Sequence, residues 1–161
     1  MTVEITRHHD HYFLWIDDDC WMWDFETEVK AQQELADKAR GDVLVVGYGL
    51  GIVQKMLVKI GQATSILTIE KFPEVLEENM RVFGKHYGRT IIGDFFNMDE
   101  GEPKWFDTVI GDIWLDVTPG YLETWLAFRR KAQRLLKPGG QILTWGDECF
   151  KVWEEQLCPA A

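Results

Sequence analysis

Hydrophobic positions are spaced in two different ways along the chain. From Tyr12 to Phe25 aromatic and aliphatic residues dominate, in two runs separated by Asp17-Asp18-Asp19. Aromatic and β-branched residues on either side of an acidic turn predict a β-hairpin, which occupies residues 1–26. Between Thr27 and Ala39 the apolar positions Val29, Leu35, Ala36 and Ala39 recur among Glu, Lys and Gln, with Gly41 beyond them. That spacing predicts an amphipathic helix with a glycine stop.

Beyond Gly41 strand and helix patterns alternate. Asp42 to Val46 is a continuous apolar strand, of the kind covered on both faces in a parallel sheet. Ile52 to Ile60 reads as a helix stopped by Gly61, and Ser65 to Ile69 as a second strand ending at Glu70. Pro73 opens a helix with Val75, Leu76, Met80 and Phe83 on one side, proline being suited to the first helical position. Thr90 to Ile92 and Phe106 to Ile110 give the third and fourth strands. Tyr121 to Leu136 forms a helix that Lys137-Pro138-Gly139-Gly140 terminates. Gln141 to Trp145 is the fifth strand, and one more short helix is expected at the C-terminus. Alternation of this kind implies right-handed crossovers, an α/β class and a mostly parallel sheet. No linker divides the chain, so residues 1–161 are one domain with a core over 41–146.

In such sheets ligands bind beyond the carboxyl ends of the strands, which directs attention to four short segments. Gly47-Tyr48-Gly49-Leu50-Gly51 joins a strand to a helix, where glycines permit a tight turn and close approach of a ligand to the backbone. Glu70 ends the next strand, placed to accept two hydrogen bonds from a ribose diol. A dinucleotide fingerprint asks for Gly or Ala at position 52; Ile52 stands there, so a nucleoside without a pyrophosphate is expected. The other two segments are Gly93-Asp94-Phe95 and Asp112 to Asp116.

Together, Val43 to Gly51, Ile66 to Glu70, Gly93-Asp94-Phe95, Phe106 to Asp112 and Leu136 to Gly140 resemble the successive motifs of class I S-adenosylmethionine-dependent methyltransferases. Val45 and the strand end Ile110-Gly111-Asp112 look most like the spermidine-synthase-like branch. The resemblance implies a Rossmann-like, doubly wound sheet of order 3-2-1-4-5 that binds S-adenosyl-L-methionine. It puts Gly47, Gly49 and Gly51 beside the methionine part of the cofactor and Glu70 at the ribose, with Tyr48 and Lys71 as further candidate cofactor-binding residues. Asp94 accepts the adenine amino group, beside the Phe95 backbone. Many methyltransferases carry an acid where Val45 stands, and spermidine synthases carry Asp where Leu50 stands; here other groups must hold the cofactor's amino end. The antiparallel strands usual after the fifth strand are not visible beyond Trp145, so an exposed sheet edge and self-association are expected.

Asp112 is the candidate catalytic residue, since it faces the methyl group and can orient or deprotonate an amine or hydroxyl. Trp114 and Asp116 are the candidate substrate-binding residues. The expected activity is methyl transfer to a small-molecule acceptor. The alternatives are aminopropyl transfer, as in spermidine synthases, and a non-catalytic nucleoside-binding or assembly subunit.

Composition narrows the partners. With 17 Lys+Arg against 27 Asp+Glu the net charge is −10, a poor match to a nucleic-acid backbone. The longest uncharged stretch, Val43 to Gln54, is too short to span a bilayer. No secretory signal opens the chain and the three cysteines form no C-x-x-C pair, so a cytoplasmic setting is expected. His8, His9 and His11 lack further residues at ligand spacing, and no metal is expected.

Overall fold

The computed structural model describes residues 1–99 and 105–158. Its N-terminal part is antiparallel: β1 (Val3–His8), β2 (His11–Ile16) and β3 (Asp19–Trp23) form a sheet in that order. The expected hairpin is thus the second half of a three-stranded meander. The first strand joins because it carries its own inward residue, Ile5, which pairs with Leu14; both are buried. Asp17 turns the chain at φ +52°, a conformation that Asp tolerates better than most residues. Alternation along β2 sends Leu14 and Ile16 inward, while Phe13 and Trp15 form an outer aromatic cluster with Trp23 and Phe25.

The rest is α1 (Glu26–Lys38), β4 (Gly41–Val46), α2 (Ile52–Ile60), β5 (Ala63–Glu70), α3 (Pro73–Phe83), β6 (Arg89–Ile92), β7 (Phe106–Gly111), α4 (Leu122–Leu135), β8 (Leu136–Thr144) and α5 (Asp147–Leu157). The five strands pair in the order β6-β5-β4-β7-β8, every neighbour parallel. Counted from β4, this is the expected order 3-2-1-4-5. β8 is the last strand among the described residues and forms the sheet edge.

One boundary differs from expectation. The segment Lys137 to Gly140 lies within β8 instead of before it. It bulges from the ladder between the pairs Phe106–Leu136 and Thr108–Gln141. An edge strand tolerates this, because Pro138 has no N–H to give and no outer neighbour requires one.

Both faces of the sheet are covered. Val43, Val45 and Ile110 pack against Leu35 and Ala36 of α1, Ala39 just beyond its end, and Val53 and Leu57 of α2. The opposite side chains, Leu44, Val46 and Val109, meet Trp125, Phe128 and Ala132 of α4 and Phe150 of α5. Trp125 and Phe150 stack with centroids 5.4 Å apart and are wholly buried. Each contributes roughly 1.5–3 kcal/mol through burial. A third cluster joins the N-terminal sheet to the rest: Ile5 and Leu14 meet Tyr48, Leu50, Val75 and Leu76. Leu50 is therefore apolar because it lies beneath that sheet. The chain leaves β4 toward β5 on one side, and β7 lies on the other, so a crevice opens at the carboxyl ends of the central strands. No helix among the described residues is long and apolar enough to cross a membrane.

Candidate functional site

A cavity of about 260 Å³ occupies that crevice. Its wall includes Gly47 to Gly49, Glu70, Asp94, Phe96, Asp112 and, from the N-terminal sheet, Met22.

The glycine loop takes left-handed backbone, with φ +90° at Gly47 and +56° at Gly49. A Cβ on Gly47 would lie 3.2 Å from the Asp112 carbonyl oxygen; on Gly49 it would lie 2.6 Å from the Met22 sulfur. Conformation and crowding both exclude a side chain there. Most of the loop's donors are already used. Tyr48 N–H donates to Glu70 Oε2 at 2.7 Å, and Leu50 N–H to Met22 Sδ at 3.3 Å. Side chains secure its carbonyls: Gln54 Nε2 donates to Gly47 O at 3.1 Å and Asn79 Nδ2 to Gly49 O at 2.8 Å. With those N–H groups bonded and a carboxylate alongside, the loop is no cradle for a pyrophosphate.

Glu70 is buried at the end of β5. Its Oε1 accepts the Phe72 N–H at 2.9 Å, so each oxygen has one backbone donor. Burial pushes this carboxyl above its ordinary range, while the backbone donors of Phe72, Tyr48 and Lys71 pull it back. Asp94 caps the 3-10 turn Phe95–Asn97, accepting the Phe96 N–H at 3.0 Å. Its other oxygen lies 3.0 Å from Lys71 Nζ, and this bond holds the Asp94 carboxyl below the usual range. Phe95 lines the cavity but its ring is core, 5.3 Å from that of Phe128. Phe96, beside it, is partly exposed at the cavity mouth.

Asp112 follows β7 on the cavity wall. Its Oδ2 accepts from Gln32 Nε2 at 2.6 Å, and the same nitrogen donates to Glu28 Oε1 at 2.8 Å. One amide of α1 therefore bridges two carboxylates. Burial first, and the Glu28 charge second, push the Asp112 carboxyl up to about 7 against the opposing Gln32 bond. Glu28 is raised as well, chiefly by burial, with Gln32 and Trp145 side chains donating to it.

The structure thus brings Gly47, Tyr48, Gly49, Glu70, Lys71, Asp94, Phe95 and Asp112 to one cavity. Gly51 caps α2 just behind it. Trp114 borders the cavity, but its ring packs edge-on to Phe128 and Phe150 and its Nε1 donates to the Trp145 carbonyl at 3.2 Å. It is a core tryptophan with one margin on the site. Asp116 is not part of the wall: it is exposed, and its Oδ1 accepts the neighbouring Val117 N–H. The loop has turned away from the sheet edge by that point. Of the histidines, His11 pairs with Asp24 at 3.2 Å, and no group of three potential metal ligands exists among the described residues.

The residues that sequence reasoning missed are Glu28, Gln32, Gln54 and Met22. A signal existed for the first two. Positions 28, 32, 35, 36 and 39 share one helical stripe, so Glu28 and Gln32 are polar residues in the phase of the core.

No family model and no curated protein sequence matches the chain. Solved structures do. A methyltransferase from Bacteroides fragilis, solved with S-adenosyl-L-homocysteine, is 27% identical over 70% of this chain and 44% of its own, with a TM-score of 0.51. The CcbJ methyltransferase from Streptomyces caelestis is 21% identical over 71% and 48%, with a TM-score of 0.53. The chain has the class I S-adenosylmethionine-dependent methyltransferase fold. Spermidine synthase from Thermotoga maritima shares this methyltransferase fold; it is 15% identical, covers 97% of this chain and 58% of its own, and has a TM-score of 0.65. The chain spans about half the length of these three structures. The larger coverage of the last one extends the similarity to most of the chain, including part of the N-terminal sheet.

Proposed function

We propose that the protein binds S-adenosyl-L-methionine in this cavity and transfers its methyl group to a small-molecule amine or hydroxyl. The observation that carries the reading is Glu70. Its carboxylate is fixed from behind by the N–H groups of Tyr48 and Phe72, and it borders the cavity, so the remaining lone pairs suit a ribose diol. The residues fit the group in other respects. The cavity is close to the lower end of ligand sites, roughly 300–1,000 Å³. The loop accepts no pyrophosphate, and Asp94 stands at the neighbouring strand end with acceptor capacity for an adenine amino group.

When bound, S-adenosylmethionine would supply a methyl carbon on a sulfonium, to which an in-line lone pair bonds as the carbon–sulfur bond breaks and the neutral thioether S-adenosylhomocysteine leaves. The chain's own task is to hold and orient. Glu70 fixes the sugar, Asp94 and the backbone near Phe95 fix the base, and Ile113 and Trp114 limit water beside Asp112. Asp112 accepts the proton of an approaching ammonium or hydroxyl, freeing the lone pair that forms the new bond to carbon. A carboxyl titrating near 7 suits that role at neutral pH. Aminopropyl transfer is the second reading. It is favoured by a cavity wall whose one cation among the described residues, Lys71, is committed to Asp94. No free cation is then at hand for the carboxylate of a methionine tail.

Calorimetric titration with S-adenosylhomocysteine, 5′-methylthioadenosine and NAD tests the reading. Binding of the first two is expected, with heat that Glu70→Ala removes. Tighter binding of NAD, or none of the adenosine compounds, refutes it.

A further inference from the structure

Helix α4 buries a cation among its core residues. The stripe of Trp125, Phe128, Ala132 and Leu135 is apolar, yet Lys131 beside it is only 6% exposed. An ammonium withdrawn from water is costly unless hydrogen bonds replace the water, and an apolar side chain of similar volume would avoid that cost. Lys131 directs its donors to backbone: Nζ donates to Phe96 O at 2.9 Å and to Met98 O at 2.7 Å.

Those carbonyls belong to the 3-10 turn Phe95–Asn97 and to Met98, the residue that closes it. Asp94, Phe95 and Phe96 line the cavity, whereas Lys131 lies behind that wall. One turn of α4 therefore fastens the segment twice. The Phe128 ring packs 5.3 Å from that of Phe95, and the Lys131 ammonium, three residues on, lies 5.7 Å from the Phe95 centroid while clasping the two carbonyls. At the other end Asp94 is tied to Lys71, whose side chain is exposed. The Lys71 bond is the larger influence on the Asp94 carboxyl, and the Lys131 charge adds to it through space. An exposed pair is screened by salt and costs side-chain freedom to hold; a buried clasp is screened far less.

We propose that Lys131 is a positioning residue for base discrimination: by clasping the Phe95–Asn97 turn from behind the wall, it holds Asp94 still and sets the preference for a 6-amino over a 6-oxo purine. The proposal deepens the transferase reading and rests on it for the place of the base. Adenine offers a donor on carbon 6 and an acceptor at N1. Hypoxanthine reverses both, so its carbonyl oxygen would face the Asp94 carboxylate acceptor to acceptor. That mismatch is costly only where the carboxylate cannot withdraw or admit a water, which is a matter of what holds its backbone. A lysine that merely filled the core would leave the ratio of the two bases untouched.

The test compares 5′-methylthioadenosine with 5′-methylthioinosine, in which oxygen replaces the amino group. Affinities are measured by calorimetry for the wild type, Lys131→Met and Lys131→Arg, each well below its own melting temperature. The wild type is expected to prefer the adenine compound about ten- to a hundredfold. Lys131→Met, of similar length but with nothing to donate, should bring that ratio below about threefold, and Lys131→Arg, which keeps charge and donors, should hold it above about tenfold.

A core-filling role alone lowers the melting temperature and weakens both compounds alike. An unchanged ratio in Lys131→Met therefore overturns the proposal. A Lys131→Arg ratio as low as that of Lys131→Met also overturns it, because the effect is then one of packing. Should Lys131→Met fail to fold, Lys131→Gln, uncharged and shorter, takes its place against the same outcomes. If the wild type binds both compounds equally, the proposal fails while the nucleoside cavity stands. If it binds neither, the nucleoside reading fails, and this proposal with it.

Discussion

Strands β5 and β7 each deliver a carboxylate to the cavity, and the two are secured by different means. Glu70 is held by backbone N–H groups, one to each oxygen, from residues whose own positions are fixed by the glycine loop and the start of α3. Asp112 is held by one side-chain amide that also serves a second acid. Backbone donors cannot rotate away, so Glu70 stays oriented, and they oppose the upward push that burial gives its carboxyl. The side-chain bridge satisfies half of Asp112 and leaves a neighbouring charge unanswered, so Asp112 gains a proton readily. The same residue chemistry is built once as a fixture and once as a titrating group. Under the proposed function the first would serve a ribose and the second a proton acceptor.

The comparison can be broken or sharpened experimentally. The largest effect is expected on turnover, once an acceptor is found. Asp112→Asn keeps the shape, so its rate should fall about 10²–10⁴-fold. Its affinity for 5′-methylthioadenosine should stay within about twofold. Wild-type turnover in this variant makes Asp112 a turn residue. For Glu70→Ala the effect lies in binding instead: affinity for methylthioadenosine should drop by about 1–3 kcal/mol, the cost of hydrogen bonds to a charged acceptor. An unchanged isotherm removes Glu70 from the site.

Stability should separate the two acids by sign. Asp112 titrates near 7 in the folded chain and near its ordinary 3.8 when unfolded. Between about pH 4 and 7 the native state therefore binds more protons, and stability falls as pH rises through that window. Asp112→Asn should flatten this slope and stabilise the protein at pH 8 by about 1–2 kcal/mol, reduced from the full shift because the group borders an open cavity. Glu70→Ala strands the Tyr48 and Phe72 donors, so it should lower the melting temperature at every pH. Melting curves from pH 5 to 8 check both; a destabilised Asp112→Asn at pH 8 contradicts the comparison. The smallest effect concerns the loop between them. Met22→Leu removes the acceptor for Leu50 N–H and should cost about 0.5–1 kcal/mol in urea denaturation.

The difference also governs what could be read from the sequence. Glu70 was legible because a strand ending in an acid, one unit after a glycine loop, places the residue by topology alone. The strand order followed from the same alternation. Asp112 was legible as a position, but its chemistry was not, since that depends on Glu28 and Gln32 from a helix 80 residues away in the Gln32 pairing. Spacing within α1 marked them as polar members of the apolar stripe, yet nothing local says which strand end they meet. Asp116 went astray for a related reason. A short loop after a strand can turn in many ways, and here the Val117 N–H captured its carboxylate. Lys137 to Gly140 carried the composition of a terminator; being on an edge, they could bulge within a strand instead.

Met22 has a consequence for the rates at which ligands come and go. Its sulfur rests on the glycine loop, and Leu14, Ile16 and Trp21 extend the same cover across the cavity. A molecule cannot descend onto Gly49 from above while the N-terminal sheet stays in place. The open side is the mouth beside Lys71 and Phe96, both exposed. Passage is therefore lateral, past the Lys71–Asp94 pair. Changes at Lys71 or Phe96 should act on association, and loosening of the Met22 cover on escape, so that residence time is set by a sheet that contributes nothing to the chemistry.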